Sequence, residues 1–194
     1  MDDDIIGLYY IPLIPTLPIP ECATSEGYVQ VFSSGGRKVK QYGYEYDYLT
    51  KSIYKPAESF PPELVELASI ARFECLARGL IDHTYEFNQC IINKYEVGEG
   101  ISAHSDLHKY GKVIACFSFG GGAYMHFMKN QKPDSITNLY VEPSSLYIMS
   151  GPSRYEYTHE MKRRKTDMVN GRRINRSTRY SITFRNVPNK KPGN

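Results

Sequence analysis

A mainly β fold with one flanking helix is what this 194-residue chain predicts, and three observations carry it. Seven short runs after residue 88 ("QCIINKYEV", "KVIACFSF", "AYMHFMK", "NLYVEP", "SLYIMSG", "RYEYTHE" and "RYSITFRNV") are rich in β-branched and aromatic residues and are separated by Gly, Pro, Asn and Ser. One segment, after "SFPPE", places apolar residues at helical spacing. The even spacing of the runs suits a sandwich or barrel-like core rather than alternating βαβ units.

The elements follow in chain order. Residues 1–36 read as an N-terminal arm, because "IPLIPTLPIP" carries too many prolines for a helix or a central strand and is expected to run extended on the surface. In "RKVKQYGYEYDY", Tyr42, Tyr44, Tyr46 and Tyr48 alternate as they would on one face of a strand. The helix has Leu64, Leu67, Ala68, Ala71, Cys75 and Leu76 as its stripe, Pro61 and Pro62 at its start and Gly79 as a cap at its end, and it should lie on a sheet. Strands fill the chain to Val187, and residues 188–194 are expected to fray. There is no internal repeat, so residues 1–194 read as a single domain.

Composition narrows the class. With 41% apolar and 23% charged residues, the chain suits one domain folding around its own core, not a disordered or fibrous protein. No window approaches the run of about 18 apolar residues that a membrane span needs, and "MDDDII" is acidic where a secretory signal is basic. The expectation is an intracellular protein without a membrane partner, cytoplasm and nucleus not being distinguished. Cys22, Cys75, Cys90 and Cys116 form no C-x-x-C pair, which indicates neither a zinc knuckle nor a disulfide framework. The net charge of +3 hides an asymmetry: "KRRKTDMVNGRRINRSTR", residues 162–179, holds eight Lys or Arg against one Asp, a local +7 on a body of −4. Such a segment is either an electrostatic footprint for phosphate or a solvated loop.

Two constellations carry chemistry. "GISAHSDLHKYG" sets His104, Asp106 and His108 on alternate positions, which share a face if the segment is extended. Imidazole with carboxylate suits a divalent metal of intermediate softness, and a third ligand from a distant strand would complete a two-histidine, one-carboxylate triad with open positions. Of the five histidines, His159 is the natural third, with His83 and His126 elsewhere; alone, H-x-D also fits any polar strand end. "RYSITFR" puts Arg179, Ser181, Thr183 and Arg185 on one face and Tyr180, Ile182 and Phe184 on the other. Burying the first face is costly unless an anion pairs with it, and a dicarboxylate would serve, because the arginine fork grips carboxylates in bidentate fashion. "NKY" similarly aligns Asn93 and Tyr95. Each piece alone also fits an ordinary sheet surface.

Taken in order, N-x-Y, H-x-D, a distant His and R-x-S-x-T-x-R resemble the AlkB family of iron(II) and 2-oxoglutarate dependent dioxygenases. The resemblance runs from Val39 to Val187 and is densest in "INKYEVGEGISAHSD", "SGPSRYEYTH" and "RYSITFRNV". It implies a double-stranded β-helix, or jelly roll, with iron(II) as cofactor and 2-oxoglutarate and O2 as cosubstrates. His104, Asp106 and His159 would be the catalytic iron ligands. Arg179 would pair with the distal carboxylate of 2-oxoglutarate, and Asn93, Tyr95, Ser181 and Arg185 would complete that site, Ser181 standing where the bacterial pattern has asparagine. The implied chemistry couples conversion of 2-oxoglutarate to succinate with hydroxylation of a C–H bond. A carbon on nitrogen is then lost as demethylation, and a carbon on carbon stays hydroxylated.

Substrate signals are thinner. The tyrosine row could stack bases, with Arg37, Lys38 and Lys40 on phosphates, or it could be half-buried core, with Glu45 and Asp47 repelling phosphate. In the family this region belongs to the lid over the target nucleotide, and "QYGYEYDY" is similar to that part of the AlkB-type domain of tRNA wobble-uridine hydroxylases, which favours RNA over DNA. Tyr44, Tyr46, His108 and Arg154 are the candidates for substrate contact. His108 stands where the bacterial repair enzyme has aspartate and the wobble-uridine enzyme has histidine, so repair of methylated adenine or cytosine does not follow. The expectation is an enzyme hydroxylating or oxidatively demethylating a modified or alkylated base in nucleic acid. The alternatives are the same chemistry on a protein or small molecule, and a non-catalytic nucleic-acid-binding module.

Overall fold

Alternation along the central strands sets the architecture: residues one apart feed two different cores, so a sheet must be covered on both faces. The computed structural model describes residues 5–13, 15–31, 36–130 and 132–188, with 132–134 by their backbone alone; the tail expected to fray lies outside this set from residue 189 onward.

The chain opens with β1 (Leu8–Pro12), α1 (Glu21–Thr24), β2 (Val29–Gln30), β3 (Lys38–Tyr42), β4 (Tyr44–Glu45) and β5 (Lys55–Pro56). Helix α2 (Pro62–Ala77) precedes β6 (Gln89–Tyr95), β7 (Ile101–His104), β8 (Val113–Gly120), β9 (Ala123–Lys129), β10 (Lys132–Val141) and β11 (Ser145–Ser150). The last part holds α3 (Gly151–Tyr155), β12 (Tyr157–Met161), β13 (Thr166–Val169), β14 (Arg172–Asn175) and β15 (Arg179–Arg185). A seven-stranded antiparallel sheet has the order β1-β11-β8-β15-β6-β3-β2, and a four-stranded sheet the order β10-β9-β12-β7. This is the jelly-roll sandwich anticipated from the sequence.

The larger sheet separates two cores. Cys90, Ile92, Ala115, Phe117, Leu146, Ile148, Ile182 and Phe184 pack outward with Leu64, Leu67, Ala71 and Cys75 of α2. Ile114, Cys116, Tyr147 and Met149 point the other way and meet Met125 and Phe127 of the smaller sheet. The predicted helix ends hold: Pro62 opens α2, and Gly79 (φ +66) closes it, with Gly79 N–H donating to Leu76 O at 2.9 Å and Leu80 N–H to Cys75 O at 3.0 Å, a Schellman motif. Burying Leu64 in this contact contributes about 2 kcal/mol.

The proline-rich arm is extended, yet half of it is built in. β1 pairs with β11 as an edge strand, Tyr9, Ile11, Leu13 and Leu17 pack on the outer core, and Ile5 reaches the inner one. Prolines fit at an edge, where one side of the strand needs no ladder. The basic segment is a hairpin, β13 with β14, turning through Asn170 (φ 50) and Gly171 (φ 75), the two positive φ values a type I′ turn requires. Asp167 and Arg176, both buried, close its base with contacts of 2.6 and 2.9 Å. Among the described residues no helix is long and apolar enough to cross a membrane.

Candidate active site

A cavity of about 410 Å³ opens between the two sheets, lined by the inward faces of β6, β11 and β15 and by the segment from Ile101 to Leu107. Period-two alternation explains its polarity: Arg179, Ser181, Thr183 and Arg185 face it while Ile182 and Phe184 enter the outer core. Register then sets neighbours, with Arg179 opposite Tyr95 and Ser181 opposite Asn93.

His104 ends β7 and is the ladder partner of His159 in β12; their ring centroids are 4.4 Å apart. His104 Nδ1 lies 2.9 Å from Ser102 O, a contact that assigns the proton to Nδ1 and leaves Nε2 as a free lone pair. Asp106 Oδ2 stands 3.9 Å from His159 Nε2, and Asp106 Oδ1 accepts from Arg185 Nε at 2.6 Å, with Nη2 also at 2.6 Å. Among the described residues no three His, Cys, Asp or Glu side chains are preset around one point, since this carboxylate is turned onto Arg185. The donor set nevertheless fits iron(II) in kind, two imidazoles and a carboxylate, and the 3.9 Å Asp106–His159 gap is within about 1 Å of the roughly 3 Å that adjacent ligands of one ion keep.

Protonation states agree with this. Burial would favour a neutral acid at Asp106, but Arg185, His159 and His104 outweigh it and hold the carboxyl well below its usual range. Burial, with His104 adding to it, takes His159 down to about 3, and burial lowers His104 as well. The result at neutral pH is one carboxylate and two neutral imidazoles, the forms that bind a metal.

Arg179 is the other pole. The residue is 4% exposed, its Nε donates to Ser118 Oγ at 3.0 Å, its guanidinium carbon lies 5.6 Å from the Tyr95 ring centroid, and Nη2 has no partner among the described residues. A buried cation short of a partner is disfavoured, and the oxygen pair of a carboxylate would satisfy it. Asn93 is engaged already, accepting from Arg37 Nε at 2.8 Å, and Ser181 Oγ contacts Cys116 Sγ at 3.1 Å. Ser118 was not foreseen; it is the one hydroxyl residue in the otherwise apolar stretch Val113 to Phe119, and that interruption was its signal.

The four residues expected at the substrate divide. Tyr46 lines the cavity beside Tyr48, their centroids 4.7 Å apart. Tyr44, partly buried, packs against the same inner core as Tyr46 but does not line the cavity, and Tyr42 is buried in the outer core, so the tyrosine row is not one face. Gly43 breaks it: at φ +74 the chain turns between β3 and β4, and a Cβ there would meet Asn88 O at 1.9 Å. His108 is exposed, its ring 5.3 Å from Tyr155. Arg154 makes no substrate surface at all. It is 2% exposed, donates Nη1 to Asp106 O at 2.9 Å and Nη2 to Leu107 O, and stacks on Tyr155, because α3 turns it inward onto the H-x-D loop. Lys40 is likewise taken, donating to Cys22 O, Ser25 O and Ser25 Oγ rather than facing phosphate.

Comparison with known proteins identifies the family and the fold. The profile of the 2OG-Fe(II) oxygenase superfamily matches residues 22–185. Protein L905 of Acanthamoeba polyphaga mimivirus is 44% identical over 101 residues, covering 52% of this chain and 48% of that protein. The tRNA (carboxymethyluridine(34)-5-O)-methyltransferase alkbh8 of Xenopus tropicalis is 35% identical over 168 residues, 78% of this chain and 26% of its own length. The chain thus spans less than half the length of these two relatives. In fold it is similar to the structure of OsALKBH1, with a TM-score of 0.65 at 18% identity, covering 93% of this chain and 96% of that one. The chain belongs to the 2OG-Fe(II) oxygenase superfamily, within its AlkB family, oxidoreductases that use iron(II) with 2-oxoglutarate and O2 as cosubstrates.

Proposed function

We propose that this chain is an AlkB-type dioxygenase that hydroxylates or oxidatively demethylates a modified or alkylated base in nucleic acid, with RNA, tRNA in particular, ahead of DNA. The observation that carries the enzymatic part is the unsatisfied Arg179 guanidinium in the same cavity as His104, Asp106 and His159. His104, Asp106 and His159 would hold iron(II), and Arg179 would take the distal carboxylate of 2-oxoglutarate, with Tyr95, Asn93, Ser181 and Arg185 around it. Bound there, iron(II) with 2-oxoglutarate and O2 supplies the oxidising power to hydroxylate a C–H bond as 2-oxoglutarate becomes CO2 and succinate. The chain positions the reactants and excludes water.

The nucleic-acid part is supported by surface charge and aromatics around the cavity. Tyr46 and Tyr48 offer ring faces for a base, and Arg37 and Lys51 line the opening. Arg163 reaches Gly36, next to Arg37, and continues through exposed Arg164, Lys165, Arg172 and Arg173, a basic track for phosphates. The name of the Xenopus tropicalis relative, a tRNA-modifying enzyme, favours RNA.

The test has two stages. Anaerobic addition of iron(II) and 2-oxoglutarate should give the weak visible charge-transfer band of the chelate, absent in His104→Ala and Asp106→Ala; a normal band in both variants would refute the iron assignment. Mass spectrometry of nucleosides from RNA and DNA pools, incubated with enzyme, O2, iron(II) and 2-oxoglutarate, should then show turnover of a base, in RNA before DNA. Succinate formed with no change in either pool would redirect the same chemistry to a protein or small molecule.

A further inference from the structure

Tyr110 carries a hydroxyl that the protein itself does not use. The residue is 5% exposed, it lines the cavity, and its Oη is buried with no hydrogen-bond partner among the described residues. Burial pushes its pKa up to about 12, so at neutral pH it keeps a proton to donate. An unpaired buried hydroxyl is disfavoured, and one held at a cavity wall is matched to what enters that cavity.

The backbone around it is fixed. Tyr110 N–H donates to Leu107 O at 3.1 Å, Leu107 O also accepts from Arg154, and Gly111 N–H donates to Asn186 O at 2.8 Å. Position then separates Tyr110 from the Arg179 end of the cavity. Arg185 lies over the Tyr110 ring, 5.1 Å from its centroid, and Asp106, Tyr46 and Tyr48 are near enough to act on the hydroxyl through space. Arg179 is at the other end of β15, about 20 Å from Arg185 at the strand rise of about 3.3 Å per residue. The unused hydroxyl therefore lies at the Arg185 end of the cavity, in the company of Asp106, Tyr46 and Tyr48, and away from Arg179.

We propose that Tyr110 Oη donates a hydrogen bond to an acceptor on the edge of the base entering the cavity, and so helps decide which base is accepted. This rests on the nucleic-acid reading above. The test compares wild type with Tyr110→Phe, under nitrogen with iron(II) and 2-oxoglutarate, against stem–loop RNAs carrying A, C, G, U or an abasic residue at one loop position. Wild type should bind at least one base-bearing RNA more tightly than the abasic one, and Tyr110→Phe should lower that ratio about fivefold while leaving abasic binding alone. Its melting temperature should not fall, since no protein contact is lost.

An unchanged ratio would overturn the proposal, as would a wild type with no preference for any base over the abasic RNA. A weaker 2-oxoglutarate affinity with the ratio intact would assign the hydroxyl to the cosubstrate and overturn it too. If wild type bound none of the five RNAs, the nucleic-acid reading itself would fall, and this inference with it.

Discussion

Replacing Arg179 with methionine should separate dicarboxylate binding from the stability of the fold. In the free protein the guanidinium has one good hydrogen bond, to Ser118 at 3.0 Å; Nη1 is 4.0 Å from Met161 Sδ, and Nη2 has no partner among the described residues. Methionine fills similar space without the buried charge, so the ligand-free melting point should stay within about 1 kcal/mol of wild type or rise. The ligand fares differently, because its carboxylate would be buried without a counter-ion, a cost of about 3–5 kcal/mol, or about 150- to 4,000-fold in affinity. At about 100 times the wild-type Kd, 2-oxoglutarate should stabilise wild type by about 2.7 kcal/mol, roughly 5–10 °C for a chain of this size. The methionine variant should gain about 1 °C or less at that concentration. Arg179→Lys keeps the charge but loses the fork, and should fall between them. Thermal melting under nitrogen, with and without 2-oxoglutarate, reads all three. A full ligand-induced shift in Arg179→Met would refute the reasoning, and so would a fall of several degrees without ligand, which would make the guanidinium a structural cation.

Two further outcomes follow from charge. His159 is held down to about 3 by burial and by His104, while in the unfolded chain it titrates near the ordinary histidine value of about 6.5. Between those values the unfolded chain binds more protons, so chelator-treated protein should lose a few kcal/mol of stability as pH falls across that window; Asp106 adds the same sign below the ordinary carboxylate value, and His159→Gln should flatten the upper part of a urea-midpoint profile. Replacing Arg163, Arg164, Lys165, Arg172 and Arg173 together with alanine should leave the 2-oxoglutarate-induced melting shift intact and reduce the slope of log affinity for RNA against log salt by about 3; an unchanged slope would remove the basic track from the interface.

What the sequence made legible was periodicity, and what it hid was register and tertiary contact. The polar face of β15 was readable because side chains on a strand alternate whatever the partner. The meeting of His104 with His159 needed the ladder between β7 and β12, which no spacing of 55 residues along a chain can encode. Tyr42 parts from the other tyrosines because a period of two assumes an unbroken strand, and Gly43 breaks it. Arg154 was misread because its burial depends on two carbonyls 47 and 48 residues away in sequence. The hairpin was readable in principle. Asn170-Gly171 between "TDMV" and "RRIN" is a strong hairpin signal, although a segment so dense in charge equally fits a solvated loop.

Asp106 shows why the site needs both arginines beside it. Its Oδ1 is held by Arg185 and its backbone carbonyl by Arg154, while Oδ2 faces His159. One oxygen is therefore fixed and the other directed toward the imidazoles, a division of labour a carboxylate allows because its two oxygens accept independently. Arg154 sits in α3, three residues before β12 begins and five before His159, so the same short helix that pins the H-x-D loop also sets where the strand carrying His159 starts. Displacing α3 would move the loop and β12 together. This coupling gives a buried arginine without a carboxylate of its own a reason to persist: its two carbonyl contacts tie the backbone of Asp106 and Leu107 to the helix that leads into the strand carrying His159.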